Sequence, residues 1–309
     1  MLISDRSISR RSLILKASTL ALSPFLCPQI AMGAGSGPLT RLIPSSSEAI
    51  PAVGLGSWIT FNVGRDIELL NECTAVMAAF FEAGGRMIDS SPMYGSSQTT
   101  IGYGLQKLKA HDKVFSAEKV WTSGEGDSQM EQSRQYWTVP KFDLMQVHNL
   151  LSWESHLETL QKMKANGRVR YIGITTSHGR QHSLFEQVMK EYPLDFVQLT
   201  YNPINTDAEE RLLPLAKERG IAVIVNRPFQ QGYLTERLRR YALPAWSSEL
   251  RVTSWSQFIL KFIISHPAVT CAIPATTRVD HVLENMASAS LPLPDTEMRS
   301  RMKQYIRNL

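Results

Sequence analysis

From Pro51 onward the chain alternates short β-rich runs with stretches whose apolar residues recur at helical spacing. The pattern predicts strands at Val53–Ser57, Arg86–Asp89, Val114–Lys119, Phe142–His148, Tyr171–Thr175, Phe196–Thr200, Ala222–Asn226 and Thr270–Pro274. Between them it predicts helices such as Ile67–Ala83, Ser155–Ala165, Leu184–Glu191, Ala208–Glu218 and Ser254–Ile264, with a short terminal helix at Thr296–Ile306. Gly84-Gly85, Asn166-Gly167 and Gly220 follow the last periodic turn of three of these helices, where a C-cap belongs. Strand–helix alternation means parallel βαβ units. Eight of them within about 230 residues fit one closed (β/α)8 barrel, a TIM barrel, better than two open sheets. No linker divides the chain after residue 40, so residues 34–309 read as a single domain.

Composition narrows the class. At ~100–200 residues per domain, 309 residues allow one large barrel or two ordinary domains. An apolar content of 43% excludes a disordered chain. Cys27, Cys73 and Cys271 lack the number for a disulfide framework and the spacing of a zinc site, and no metal is expected. His178 and His182 stand four apart, without a third ligand nearby. The net charge is +5, but Arg6, Arg10, Arg11 and Lys16 against Asp5 supply +3 of it. The rest carries too little excess charge to suggest a nucleic-acid partner. No apolar run reaches the ~18 residues of a membrane span.

Residues 1–33 read as an address rather than as part of the fold. Ser9-Arg10-Arg11-Ser12-Leu13-Ile14 is similar to a twin-arginine (Tat) export signal. A moderately apolar stretch follows from Ala17 to Ile30, then small residues at Ala31-Met32-Gly33. The expectation is a signal peptide read by the Tat translocon, which carries folded proteins to the periplasm.

In a (β/α)8 barrel, residues at the C-terminal ends of the strands face one mouth. The polar ones here are Ser57, Asp89, Lys119, His148, Thr175, Gln198, Asn226 and Thr276, with Tyr94 on the loop after Asp89. A tyrosine hydroxyl, with its pKa near 10, is a poor acid at neutral pH. A neighbouring ammonium stabilises the phenolate and lowers that pKa, and an aspartate can hold the ammonium in place. A neutral imidazole can orient a carbonyl oxygen toward the hydroxyl. Such a site would protonate a carbonyl as it is reduced, and would need a hydride source.

Ile88-Asp89-Ser90-Ser91-Pro92-Met93-Tyr94-Gly95, Glu118-Lys119-Val120-Trp121 and Gln146-Val147-His148-Asn149 resemble the aldo-keto reductases. So do Gly54-Leu55-Gly56-Ser57-Trp58, Val197-Gln198-Leu199-Thr200-Tyr201-Asn202-Pro203, Ile273-Pro274-Ala275-Thr276-Thr277 and Glu284-Asn285, in family order over about residues 40–290. The resemblance implies the (β/α)8 barrel, NAD(P)H-dependent reduction of an aldehyde or ketone, and a catalytic tetrad of Asp89, Tyr94, Lys119 and His148.

It also implies a cofactor site of Gly56, Ser57, Thr175, Thr176, Gln198, Asn226, Arg227, Phe229, Gln231, Thr276, Arg278, Glu284 and Asn285. Within it, Gln198 and Thr175-Thr176 would meet the nicotinamide carboxamide, and Arg227 the pyrophosphate. Asn226 stands where many members place an aromatic ring, which removes roughly 1 kcal/mol of stacking. Ala275 and His281 replace a Lys and an Arg that many NADPH-using members have, leaving Arg278 to read the 2′-phosphate. NADPH is therefore expected, with NADH as a second possibility. Leu150–Glu154 is the whole connection after His148, and 24 residues follow Asn285, so the mouth should be open. Trp58, Met93, Trp121 and Trp153 are expected to line it for a small-molecule carbonyl substrate with an apolar body. The alternative is a catalytically weak NADP(H)-binding barrel, an exported sensor or binding subunit.

Overall fold

In the computed structural model, which describes residues 37–309, an antiparallel hairpin of β1 (Thr40–Leu42) and β2 (Ala49–Pro51) precedes the repeats. The twin-arginine segment lies outside the described residues. Eight strands then form one parallel sheet in sequence order. They are β3 (Leu55–Gly56), β4 (Met87–Asp89), β5 (Phe115–Val120), β6 (Phe142–Val147), β7 (Val169–Thr175), β8 (Phe196–Thr200), β9 (Ala222–Asn226) and β10 (Cys271–Ala272). Parallel bridges Val53–Ala272 and Gly56–Ala275 join the first repeat to the last, so the sheet curls into a barrel. All eight strands fall within two residues of the predicted ends or inside them.

Helices surround it: α1 (Ile67–Glu82), α2 (Ser97–Leu108), α3 (Gly126–Trp137), α4 (Trp153–Ala165), α5 (His182–Glu191), α6 (Leu212–Arg219), α7 (Tyr233–Leu238), α8 (Trp255–Ile264), α9 (Val279–Ala287) and α10 (Thr296–Arg307). Local chemistry sets their ends. Asp66 Oδ1 accepts the N–H groups of Glu68 and Leu69 at 2.9 and 3.2 Å and starts α1. Gly220 takes φ +64° and ends α6, as its place after the last periodic turn predicts. A Cβ on Gly102 would stand 1.9 Å from the Tyr136 carbonyl oxygen, so α2 rests on the backbone at the end of α3.

Side chains alternate across each strand, and that period builds the interior in layers. Met87, Phe115, Ala117, Leu144, Tyr171, Phe196, Ala222 and Ile224 fill the lower barrel. Ile43 and Ile50 of the hairpin join the same cluster and close the bottom. Two residues on from these apolar positions stand Asp89, Lys119, Gln146, Gln198 and Asn226. The top layer is thus polar because the pattern changes while the strand period continues. α10 is tied to the outside of the barrel by the buried Arg299, which bonds Tyr201 and Ser265 and pairs with Glu209 at 2.8 Å.

Candidate active site

Lys119 is fully buried at the top of β5, its Nζ 2.5 Å from Asp89 Oδ1 and 2.7 Å from the Ser90 carbonyl. Nζ lies 5.2 Å from the centre of the Tyr94 ring. The Tyr94 and His148 rings meet edge to face, with centres 5.8 Å apart at 88°. The four residues come from β4, the loop after it, β5 and the end of β6.

Electrostatics set their protonation. Burial opposes the Lys119 charge, but Asp89 and Tyr94 outweigh it and hold the ammonium above its ordinary range. For Tyr94 burial is the largest influence and pushes the phenol up to about 12, with Lys119 pulling it back. The sequence expectation of a lowered tyrosine pKa is therefore corrected in sign. Lys119 acts in the expected direction, yet removal from water wins. His148 is pushed down to about 3, first by burial and then by Lys119, so its imidazole is neutral at physiological pH.

His148 Nδ1 lies 2.7 Å from Ser91 Oγ, which also accepts the Met93 N–H at 3.3 Å. The Ser91 hydroxyl thus holds the His148 ring through Nδ1, which leaves Nε2 as the ring nitrogen not engaged by Ser91.

Beneath these groups lies a chain of amides. Asp89 Oδ2 accepts from Gln198 Nε2 at 2.9 Å and from Gln146 Nε2 at 3.2 Å. Gln198 Nε2 also reaches Gln146 Oε1 at 3.3 Å, and Gln198 Oε1 accepts from Asn226 Nδ2 at 3.3 Å. Asn226 further bonds the Thr176 carbonyl at 2.9 Å and accepts from Thr200 Oγ1 at 2.6 Å. The position read as a missing stacking ring is thus a crossbar between the strand ends. Gln146 and Ser91 escaped the sequence reading as functional residues. Gln146 had a findable signal: it sits two residues before His148 and so shares its face of the strand.

On the other face of β5, Glu118 is buried and accepts from Gln98 Nε2 at 2.9 Å, Trp137 Nε1 at 2.7 Å and the Lys119 N–H at 2.8 Å. Burial outweighs these donors and pushes it up to about 7.

A cavity of about 510 Å³ opens over the tetrad. Asp89, Tyr94 and His148 line it, with Gly56, Ser57, Thr175, Gln198, Asn226, Arg227, Phe229, Gln231, Thr276, Glu284 and Asn285 of the expected cofactor set. Trp58 and Met93 form part of its wall, together with Ile59 and Thr60. His178, Arg180 and His281 also line it and were not in the expected set. No lining residue lies beyond Asn285, in keeping with an open mouth.

Four expected positions fall elsewhere. Thr176 is buried behind the wall, its Oγ1 donating to the Arg180 carbonyl at 2.6 Å. Trp121 is exposed beside the Gln129 amide, which bonds both its backbone N–H and its carbonyl. Trp153 starts α4 and packs edge to face on Tyr192, 5.3 Å between centres, in the outer core. Arg278 is exposed and held by Asp280 through bonds of 2.9 and 2.5 Å. For Trp153 and Arg278 a nearer partner away from the cavity takes the side chain.

A (β/α)8 barrel with a buried Lys119 paired to Asp89 beneath a tyrosine and a neutral histidine that line one cavity defines a class of barrel oxidoreductase. The sequence profile of the Aldo/keto reductase family matches residues 52–305, and the chain belongs to that family. It is accordingly an NAD(P)H-dependent oxidoreductase. Methylglyoxal reductase YeaE of Escherichia coli (strain K12) is 26% identical over 270 residues, covering 84% of this chain and 93% of the relative. The NADH-specific methylglyoxal reductase of the same organism is 25% identical over 252 residues, 68% and 73% of the two chains. Among solved structures, an aldo/keto reductase from Klebsiella pneumoniae in complex with NADP and acetate superposes with a TM-score of 0.72. It is 22% identical and covers 87% of this chain and 95% of its own.

Proposed function

We propose that the protein reduces an aldehyde or ketone to an alcohol, with Tyr94 as the proton donor. The observation that carries this reading is the Lys119–Asp89 pair packed under Tyr94 with neutral His148 on the same cavity wall. Tyr94 stays protonated at neutral pH, as a donor must. Lys119 faces its ring and steadies the phenolate left after transfer. Nε2–H of His148 orients the carbonyl oxygen toward the hydroxyl. Trp58, Ile59 and Met93 supply an apolar wall for the body of the substrate.

The donor chemistry of the cavity suits a nicotinamide dinucleotide. Polar groups at the strand ends, Arg227 on the loop after β9, and Thr276, Glu284 and Asn285 beyond it make a long, mixed surface. NADPH or NADH, when bound, supplies the hydride to the carbonyl carbon. Both methylglyoxal reductases among the relatives, one NADH-specific, support a small dicarbonyl or aldehyde as substrate and either cofactor. Steady-state reduction of methylglyoxal and of 4-nitrobenzaldehyde, each with NADPH and with NADH, tests the reading. Absence of turnover with all four pairs would overturn it in favour of a binding barrel.

The same reading places the enzyme outside the cytoplasm, on the strength of Arg10-Arg11 and the small residues at Ala31-Met32-Gly33. Replacing both arginines by lysine should leave folded protein in the cytoplasm. Unchanged export of that variant would remove the Tat assignment.

A further inference from the structure

Side chains alternate along β5, so Glu118 points away from Lys119, out of the barrel and toward the helices. An aliphatic residue would fill that position at less cost, because a buried carboxylate persists only where donors meet its charge. Three donors from three elements meet it here. Oε1 accepts the Lys119 N–H at 2.8 Å, and Oε2 accepts Gln98 Nε2 of α2 at 2.9 Å and Trp137 Nε1 of α3 at 2.7 Å. Gln98 Nε2 also donates to Ser133 Oγ of α3 at 2.7 Å, so the amide is held from two sides. The groups that α2 and α3 present to Glu118 are neutral, and Lys119 is the charged neighbour that favours its ionised form.

Two of these bonds bear on the tetrad. The Ser90 N–H extends the parallel ladder to the Ala117 carbonyl at 3.0 Å, and the next rung would run from the Lys119 N–H to the Ser90 carbonyl. Glu118 takes that N–H instead, and the Ser90 carbonyl accepts the Lys119 ammonium at 2.7 Å. On the other side, Gln98 is the second residue of α2 and follows Ser97. The N–H and Oγ of Ser97 both donate to the Tyr94 carbonyl, at 3.2 and 2.9 Å. Holding Gln98 therefore holds the turn from which Tyr94 projects. In its charged form Glu118 also favours the ammonium of Lys119 and the neutral phenol of Tyr94.

We propose that Glu118 is a positioning residue, a carboxylate behind the barrel wall that sets Tyr94 and Lys119 at their working separation. The proposal rests on the reading of Tyr94 as the proton donor. Glu118 does not line the cavity, so it acts only through the groups it holds. Lys119 reaches the site from β5 and Tyr94 from the loop between β4 and α2, and chain connectivity does not set one against the other. Asp89 fixes the ammonium end of Lys119. Glu118 fixes its backbone and, through Gln98 and Ser97, the turn of Tyr94. The quantity so defined is the 5.2 Å between Nζ and the centre of the Tyr94 ring. A misplacement of about 1 Å caused by a change remote from the chemistry can cost ~10²-fold in rate.

The test compares Gln98→Met with Trp137→Phe in the full chain, reducing 4-nitrobenzaldehyde with NADPH. Each variant takes one donor from Oε2, but only Gln98 adjoins the Tyr94 turn, and phenylalanine keeps a ring against Phe142. Gln98→Met is expected to lower kcat about tenfold, with KM and the NADPH dissociation constant within about twofold of wild type. Trp137→Phe is expected to keep kcat within about threefold, although the urea midpoints of both variants fall for the lost bond to a charged acceptor. In a Tyr94→Phe background Gln98→Met should change the residual rate by less than about twofold, because no hydroxyl is left to place. Equal losses of kcat in the two variants, or an undiminished loss in the Tyr94→Phe background, reduce Glu118 to a stabilising contact and overturn the proposal alone. If Tyr94→Phe itself keeps most of its rate, the donor reading fails and the positioning role falls with it.

Discussion

Gln198 Nε2 donates to Asp89 Oδ2 at 2.9 Å, so the amide expected to meet a nicotinamide is engaged by the carboxylate that holds Lys119. Gln146 donates to the same oxygen from below. Asp89 is thereby fixed on both sides, by an ammonium on Oδ1 and by two amides on Oδ2, and its torsion cannot change without breaking several bonds. Gln146 differs from Gln198 in not lining the cavity, which separates positioning from binding.

Gln146→Leu should lower kcat several-fold while leaving the dissociation constant of NADPH within about twofold. The lost bond is to a charged acceptor, typically worth ~1.5–3 kcal/mol, but Gln198 still serves Oδ2 and leucine fills the space. Loss of cofactor affinity in step with kcat would show instead that the variant disturbs the whole mouth.

Tyr94→Phe should remove most carbonyl reduction, by the ~10²–10⁴-fold typical of general acid catalysis, with cofactor affinity nearly unchanged. Burial pushes the Tyr94 phenol up to about 12, so the donor form persists well above neutrality. The reduction rate of the wild type should therefore show no alkaline limb below about pH 10. Lys119→Met removes the one influence that pulls the phenol down and should move any such limb further up. Retention of more than a tenth of kcat in Tyr94→Phe would sink the donor role.

How much of this was legible in the sequence follows from its periods. Asp89, Lys119, His148, Gln198 and Asn226 each end an apolar strand run, and the period-two pattern points them inward. The barrel and its polar top layer could thus be read directly. Helix α2 carries Gly102 and Gly104, and α3 is polar over most of its length, so neither advertises an apolar stripe. The hairpin of β1 and β2 has three-residue strands, too short for any pattern to register. Side-chain destinations failed where a local partner competes. Arg278 and Asp280 are two residues apart and satisfy each other outside the cavity. Trp153 finds Tyr192, a contact between α4 and the residue after α5 that spacing along the chain does not encode.

Ser91→Ala should raise the KM for carbonyl substrates more than it lowers kcat, because it releases the His148 ring without removing it. The 2.7 Å hydrogen bond between Ser91 Oγ and Nδ1 is what fixes the orientation of the ring. His148 is pushed down to about 3, so the wild-type profile should carry no limb near the ordinary histidine value of about 6.5. A limb at that position, abolished by His148→Ala, would show that the imidazole titrates in the working range.

Glu118 makes stability depend on pH in a direction opposite to most carboxylates. Its folded pKa is pushed up to about 7 from 4.5, so the folded chain holds a proton there that the unfolded chain has already lost. Its contribution is fully present below pH 4.5 and is lost as pH rises through about 7. That loss amounts to roughly 3 kcal/mol at about 1.4 kcal/mol per unit. Glu118→Gln removes the titration. The stability of the variant relative to wild type, from urea midpoints, should therefore improve by about that amount between about pH 4 and pH 8. A difference that does not change with pH would mean that Glu118 is charged throughout.

Cofactor choice turns on the far end of the cavity. Arg278 is engaged by Asp280 and lies off the wall, so Arg278→Ala should change the affinities for NADPH and NADH by less than about threefold, where an arginine on the phosphate would cost ten- to a hundredfold. Ala275 and His281 do line the wall, and the Ala275 side chain is exposed. Ala275→Lys places an ammonium there at little packing cost and should tighten NADPH by roughly tenfold, within the range of a charge-assisted bond of ~1.5–3 kcal/mol. NADH, which lacks the 2′-phosphate, should respond by no more than the small general gain from one added positive charge. Titration of both cofactors against both variants, by quenching of tryptophan fluorescence, measures this without a known substrate. Equal tightening of NADH and NADPH by Ala275→Lys would place position 275 near the pyrophosphate rather than the 2′ position, and would move the adenosine end of the site toward Ser256 and Thr235, which line the same cavity.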